Sequence, residues 1–252
     1  MRARERRLAA TCTTMGRLIA AAGPCDMLPT PGFSPFQALA RAITHQQLNG
    51  TAAQSIYNRL VALYSPADFP APAQLLASSD AQLRACGLSF AKIAALRDLA
   101  RRVEDGTVPT GEAMQALPDE EIIERVTQVR GIGRWTVEMM LMFQLGRGDV
   151  LPVGDFGVCA GFRLAYGLRR MPRPRALAEY GELWAPHRSI AAWYLWRAVD
   201  LARDGRLPRP GRAPRVAQLP AKPAKPARPK PSRAKAKRPA AKKKRARKAR
   251  AR

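Results

Sequence analysis

The chain has 252 residues and a formal net charge of +25, but residues 206–252 hold 20 Lys or Arg and no acid, leaving the first 205 residues at only +5. A mildly basic body, long enough for one substantial core or two small lobes, is followed by a Lys/Arg/Pro/Ala tail too poor in apolar area to order its backbone. Cysteines at 12, 25, 86 and 159 lack the close pairing of zinc or iron-sulfur ligands, and no apolar run spans a bilayer or forms a secretory signal.

A metal-free, cytoplasmic, chromosome-associated protein is therefore expected. Its disordered tail should condense nonspecifically on nucleic acid. Three regions follow: an N-terminal segment (1–34) packing on a helical body (35–205), then the tail (206–252).

No segment of the body sustains the period-2 alternation of a sheet, whereas helical spacing recurs. Phe36, Leu39, Ala40 and Ile43 form one apolar stripe, and Ala53, Ile56, Leu60 and Leu63 a second. Pro66, Pro70 and Pro72 separate these from a short helix at 73–77, and Ser79 with Gln82 fits a capping box. In CGLS, Gly87 suits a left-handed helix end and Ser89 a new cap. Ile93, Leu96, Leu99, Ala100 and Val103 then face inward until Gly106 and Pro109 stop the helix. Residues 119–128 place Ile122, Val126 and Val129 on one side. The next helix, starting after Gly133, carries Trp135, Met139 and Met142 on one face. Residues 190–201 form a strongly apolar helix, so the body reads as all-α.

Between 119–128 and the helix after Gly133 lies VRGIGRW, residues 129–135. Gly131 and Gly133 allow a tight turn and close approach of backbone N–H groups to a phosphate, while Ile132 anchors the turn inside. The first turn of the next helix adds free donors and a positive end. Such a helix-hairpin-helix grips a DNA backbone without reading bases. Alone, the GxG is equally well a tight helix corner. Asp155, twenty residues after Trp135 in LPVGDFG, adds a carboxylate at a loop or helix start. Together the two features suggest a carboxylate aimed at a sugar beside an anchored phosphate.

On these residues, with PFQALARAITHQQLNGTAA, CGLSFAK and PHRSIAAWYLW, the chain resembles the helix-hairpin-helix DNA glycosylases, on the 3-methyladenine DNA glycosylase II branch. The resemblance implies two helical lobes with distorted double-stranded DNA between them, an essential acid at Asp155, and a monomeric enzyme. It also allows a structural monovalent cation under the hairpin carbonyls. A residue from 45–49 would fill the gap left by the flipped base, Gln47 or Leu48 fitting best, with Gln46 beside them. Arg130, Gly131, Ile132, Gly133 and Arg134 would lie along the DNA backbone, and Arg188 would serve as a phosphate or scaffold contact. Val129-Arg130 replaces the family's usual Leu-Pro, and His187 stands where some relatives have an aromatic.

Lyase-competent members carry a lysine where this chain has Trp135. The only lysine before residue 222 is Lys92, placed for a scaffold or backbone contact. Without that amine, hydrolysis remains. Asp155 would stabilise positive charge on the sugar and orient the attacking water. Alkylated purines are cationic and leave readily; they would be selected by stacking, with Trp135 as the main platform and Phe156, Trp193, Tyr194 and Trp196 as further candidates. Two alternatives are a glycosylase for deaminated or mismatched neutral bases and a non-catalytic DNA-binding module.

Overall fold

The computed structural model describes residues 2–29 and 32–210. The tail from 211 onward, expected to be disordered, lies outside the described residues. Among them every regular element is helical. In chain order they are α1 (Ala3–Thr11), α2 (Thr13–Ala22), α3 (Pro35–His45), α4 (Gly50–Ala62), α5 (Pro72–Ala77), α6 (Asp80–Ala85) and α7 (Phe90–Glu104). There follow α8 (Gly111–Ala116), α9 (Asp119–Val126), α10 (Arg134–Phe143), α11 (Phe156–Ala165), α12 (Pro174–Gly181), a 3-10 turn (Glu182–Trp184) and α13 (Arg188–Arg203).

Side-chain caps start several of these helices where the sequence places them. Ser34 Oγ accepts from Gln37 N ahead of Pro35, and Ser89 Oγ accepts from Lys92 N. Ser79 and Gln82 form the reciprocal capping box, with N–H to oxygen distances of 3.2 and 2.9 Å. The short α8 was not foreseen, because it buries only Met114 and so leaves no stripe. Nor were α1 and α2, in a segment whose basic residues mask its apolar positions. The carboxylate of Glu5, almost fully buried, accepts from the amides of Cys25 at 2.9 Å and Arg2 at 2.5 Å, tying α1 to the chain after α2.

Two lobes result. In one, α3 packs on α4 and α7, and α7 on α5 and α6; in the other, α2 packs on α1 and α13, and α13 on α11. The hairpin helix α10 contacts α3 of the first lobe and stacks its Phe143 on Trp196 of α13 in the second, so it sits where the lobes meet. An aromatic cluster of Phe162, Tyr166, Tyr180 and Trp184 fills the second lobe, with Phe162 and Tyr166 ring centres 4.4 Å apart. Helices α11 and α13 approach each other at backbone distance. A Cβ on Gly161 would lie 1.8 Å from the carbonyl oxygen of Leu195, so only glycine allows this crossing.

Candidate active site

The two hairpin glycines do different jobs. Gly131 has φ +79°, a left-handed conformation costly for other residues. Gly133 is extended at φ −101° and caps α10 with no side chain over the helix end, leaving the Arg134 and Trp135 amides uncovered while Thr136 N bonds to Gly133 O. Val129 and Ile132 are buried and pin the turn from inside.

Two long-range hydrogen bonds fix the hairpin's outer course. Asp98 Oδ2, from α7, accepts from the Arg130 amide at 2.7 Å. Gln46 Nε2, at the end of α3, donates to Gly131 O at 2.8 Å. The Arg130 amide is the donor that a proline would lack, so Asp98 restores rigidity where the family's Leu-Pro is absent. Lys92 Nζ donates to Thr44 O at 2.7 Å, which holds the last turn of α3, and burial lowers the Lys92 pKa. Beyond that turn, Gln47 is the only described non-glycine residue with positive φ, at 56°, and Leu48 next to it is 41% exposed. Gln47 is thus strained and Leu48 exposed on a braced loop.

Asp155 is the N-cap of α11, with Oδ1 accepting from Val158 N at 2.7 Å. Two indoles complete its surroundings: Trp196 Nε1 donates to Oδ1 at 2.8 Å and Trp135 Nε1 donates to Oδ2 at 2.7 Å. Gly157 makes room for one of them, since a Cβ there would lie 2.7 Å from Trp196 Cδ1. The segment leading to Asp155 is held to the start of α13. Ser189, fully buried, donates to Arg147 O at 2.7 Å and accepts from Val150 N at 2.9 Å.

Beside this carboxylate opens a cleft of about 710 Å³ whose lining includes Phe33, His45, Gln46, Trp135, Met139 and Phe143. Residues 135, 139 and 143 are successive turns on one face of α10. Asp155 is joined to this cleft through Trp135, which lines it. The sequence model of the HhH-GPD superfamily of base excision DNA repair proteins matches residues 40–186.

The chain belongs to this superfamily. It is 41% identical over 168 residues to DNA-3-methyladenine glycosylase 1 of Schizosaccharomyces pombe, covering 67% of this chain and 74% of the relative. The structure of the S. pombe 3-methyladenine DNA glycosylase in complex with abasic DNA aligns with TM-score 0.69 and 37% identity over 79% of this chain and 97% of that one. A DNA-3-methyladenine glycosidase from Bacillus halodurans aligns with TM-score 0.73 and 34% identity, covering 81% and 92%.

On this HhH-GPD scaffold the expected site residues separate. Trp135, 51% exposed, lines the cleft and touches Asp155. Tyr194, expected in the base pocket, is instead core: it is fully buried and its hydroxyl donates to Gly23 O at 3.0 Å. Phe156 is 78% exposed, and Trp193 packs edge-on against Tyr194 under the Arg197 guanidinium; neither lines the cleft. The residues missed are Phe143, Met139, His45 and Phe33. Phe143 follows Trp135 and Met139 at four-residue spacing, whereas Met142, assigned to that face, is buried.

The arginines divide as well. Arg130 is exposed on the hairpin. Arg134 is paired with carboxylates: Nη1 and Nη2 bind Glu120 at 2.9 and 2.6 Å and Nε binds Glu138 at 2.9 Å, which raises the arginine's pKa. Arg188 grips both oxygens of Asp149 at 2.9 Å and Glu182 at 2.9 Å, so it is scaffold. His187 lies by Arg2, Arg4 and Arg7 at the start of α1 and not in the cleft.

Among the described residues no group of His, Cys, Asp and Glu could hold a metal ion, and no helix is long and apolar enough to cross a membrane. The hairpin carbonyls of Val129 and Gly131 already accept from Ile132 N and Gln46 Nε2. Each retains one lone pair, so this turn fits a structural monovalent cation only as an additional contact.

Proposed function

We propose that the protein is a monofunctional DNA glycosylase hydrolysing the N-glycosidic bond of alkylated purines, 3-methyladenine and 7-methylguanine, in base excision repair. One observation carries the reading: the Asp155 carboxylate lies against the indole that floors the cleft, with the hairpin's uncovered amides on the same helix as that indole. The names of the relatives, DNA-3-methyladenine glycosylase and glycosidase, support it.

The hairpin amides of Gly131, Gly133 and Arg134 hold a phosphate of the damaged strand, while that of Ile132 stays on Val129 O, and Leu48 or Gln47 fills the gap as the nucleotide turns out. The base enters the cleft against Trp135 and Phe143. A cationic methylated purine is attracted to their π faces by roughly 0.5–2 kcal/mol per ring. As the bond from C1′ to the base nitrogen breaks, its electrons leave with the base, and the carboxylate of Asp155 stabilises the positive sugar. Water then adds to C1′ and its proton passes to Asp155 or solvent. Trp135 stands where a Schiff-base lysine would be needed, and Lys92 is bonded to Thr44 O, so among the described residues no lysine amine is offered to the sugar. The protein acts on double-stranded DNA as a monomer associated with the chromosome, where the tail's charge adds nonspecific affinity.

The test uses duplex DNA carrying a single methylated purine, with free base and strand breakage scored separately. Free base with an intact abasic strand is expected. Breakage without alkali would overturn the hydrolase assignment. Release of hypoxanthine or uracil alone would move the substrate class to neutral bases, and tight binding with no release would leave only a DNA-binding module.

A further inference from the structure

Trp196 does not line the cleft: its ring is stacked on Phe143, with centres 6.0 Å apart and planes at 23°, so Phe143 presents the cleft surface there. Its other constraint is Gly157, whose missing side chain leaves the space that the indole edge occupies. Held on these two sides, the ring directs its one donor at Asp155 Oδ1.

A carboxylate oxygen has two lone-pair sites. Those of Oδ1 are both used, by Val158 N at 2.7 Å and Trp196 Nε1 at 2.8 Å. Among the described residues Oδ2 accepts only from Trp135, the half-exposed residue of the cleft, which leaves one site open. We infer that Trp196 is a positioning residue which, with the Val158 amide, saturates Oδ1 and so makes Oδ2 the oxygen that meets the sugar and the attacking water. This rests on the glycosylase reading above.

Without the Trp196 donor the carboxylate is held only by the Val158 amide and by the half-exposed Trp135, and its plane can twist about the Cβ–Cγ bond. The reactive lone pair then loses its fixed aim, and positioning within the site is worth orders of magnitude in rate. Stacking, by contrast, would affect affinity and rate together.

Trp196→Phe keeps an aromatic ring against Phe143 and removes the N–H together with the rest of the indole; Gly157→Ala keeps the tryptophan but places a Cβ 2.7 Å from its Cδ1 and 3.2 Å from Asp155 Oδ1. Both are measured in the full chain by single-turnover base release from a duplex carrying one methylated purine, and by affinity for the corresponding abasic duplex. The expected result for each is a fall of about tenfold in the release rate, the size of one charge-assisted hydrogen bond, with affinity changed less than about threefold. In ¹⁵N-tryptophan-labelled protein, the Trp196 indole N–H resonance should shift upfield in both Gly157→Ala and Asp155→Ala. A release rate within twofold of wild type for folded Trp196→Phe would overturn the assignment, as would equal losses in rate and affinity. If Trp196→Phe does not fold, Gly157→Ala carries the same comparison. Wild-type protein that releases no base removes the glycosylase reading itself, whereas active wild type with unchanged variants removes only this role for Trp196.

Discussion

Replacing Asp155 by Asn separates charge from shape at the site. The amide has one accepting oxygen, yet three donors converge on the position: Val158 N and Trp196 Nε1 on one oxygen, Trp135 Nε1 on the other. With the Asn oxygen toward Val158, its NH₂ faces the Trp135 N–H, and one hydrogen bond is lost at about 1–3 kcal/mol. Asparagine still caps a helix well, so α11 persists. For a body of this size the melting temperature should fall by about 2–10 °C. The catalytic loss is larger. A unit charge about 4 Å from the developing sugar cation contributes about 4 kcal/mol at an effective dielectric of about 20, or roughly a thousandfold in rate. Single-turnover base release should therefore fall by about 10³, while affinity for an abasic duplex stays within about threefold. Release within tenfold of wild type, or a loss of affinity that matches the loss of rate, would refute the reasoning.

Gly161→Ala forces a Cβ against Leu195 O and should separate α11 from α13; destabilisation of at least about 1–3 kcal/mol, read by thermal unfolding, is expected along with slower base release. An unchanged melting temperature would mean that the two backbones are not in contact. Burial raises the Glu138 pKa against the opposing effect of Arg134. The folded state therefore holds this proton more tightly than the unfolded state, and stability declines as pH rises from the ordinary carboxylate value through the raised one. In Glu138→Gln that decline should be smaller, so the variant's melting temperature should gain on wild type across the window; a constant difference from pH 4 to 7 would count against it. Deleting residues 211–252 removes 18 of the 44 basic residues. Affinity for undamaged duplex should drop and its salt dependence flatten, with preference for the lesion retained; a changed lesion preference would give the tail a different role.

The hairpin and the acid were legible because each is local. Gly131's left-handed turn, the anchoring Ile132, the Ser79 and Ser89 caps and the stripes of α3, α7 and α9 depend on residues within a few positions of one another. The absence of a Schiff-base lysine was equally plain, since lysine is so rare in the body. What the chain could not disclose were contacts across tens of residues: Gln46 with Gly131, Asp98 with Arg130, Trp196 with Asp155. Helix α13 shows why. Its run 190–196 is apolar on every face, so periodicity gives no contrast between Tyr194, which points into the core, and Trp196, which reaches the carboxylate. That choice is made by the backbone contact of Gly161 with Leu195, which fixes the rotation of α13 against α11, and by the space left at Gly157. Arg134 and Arg188 could be read as phosphate ligands from their positions, but the acids that occupy them, Glu120 and Asp149, are brought there only by folding.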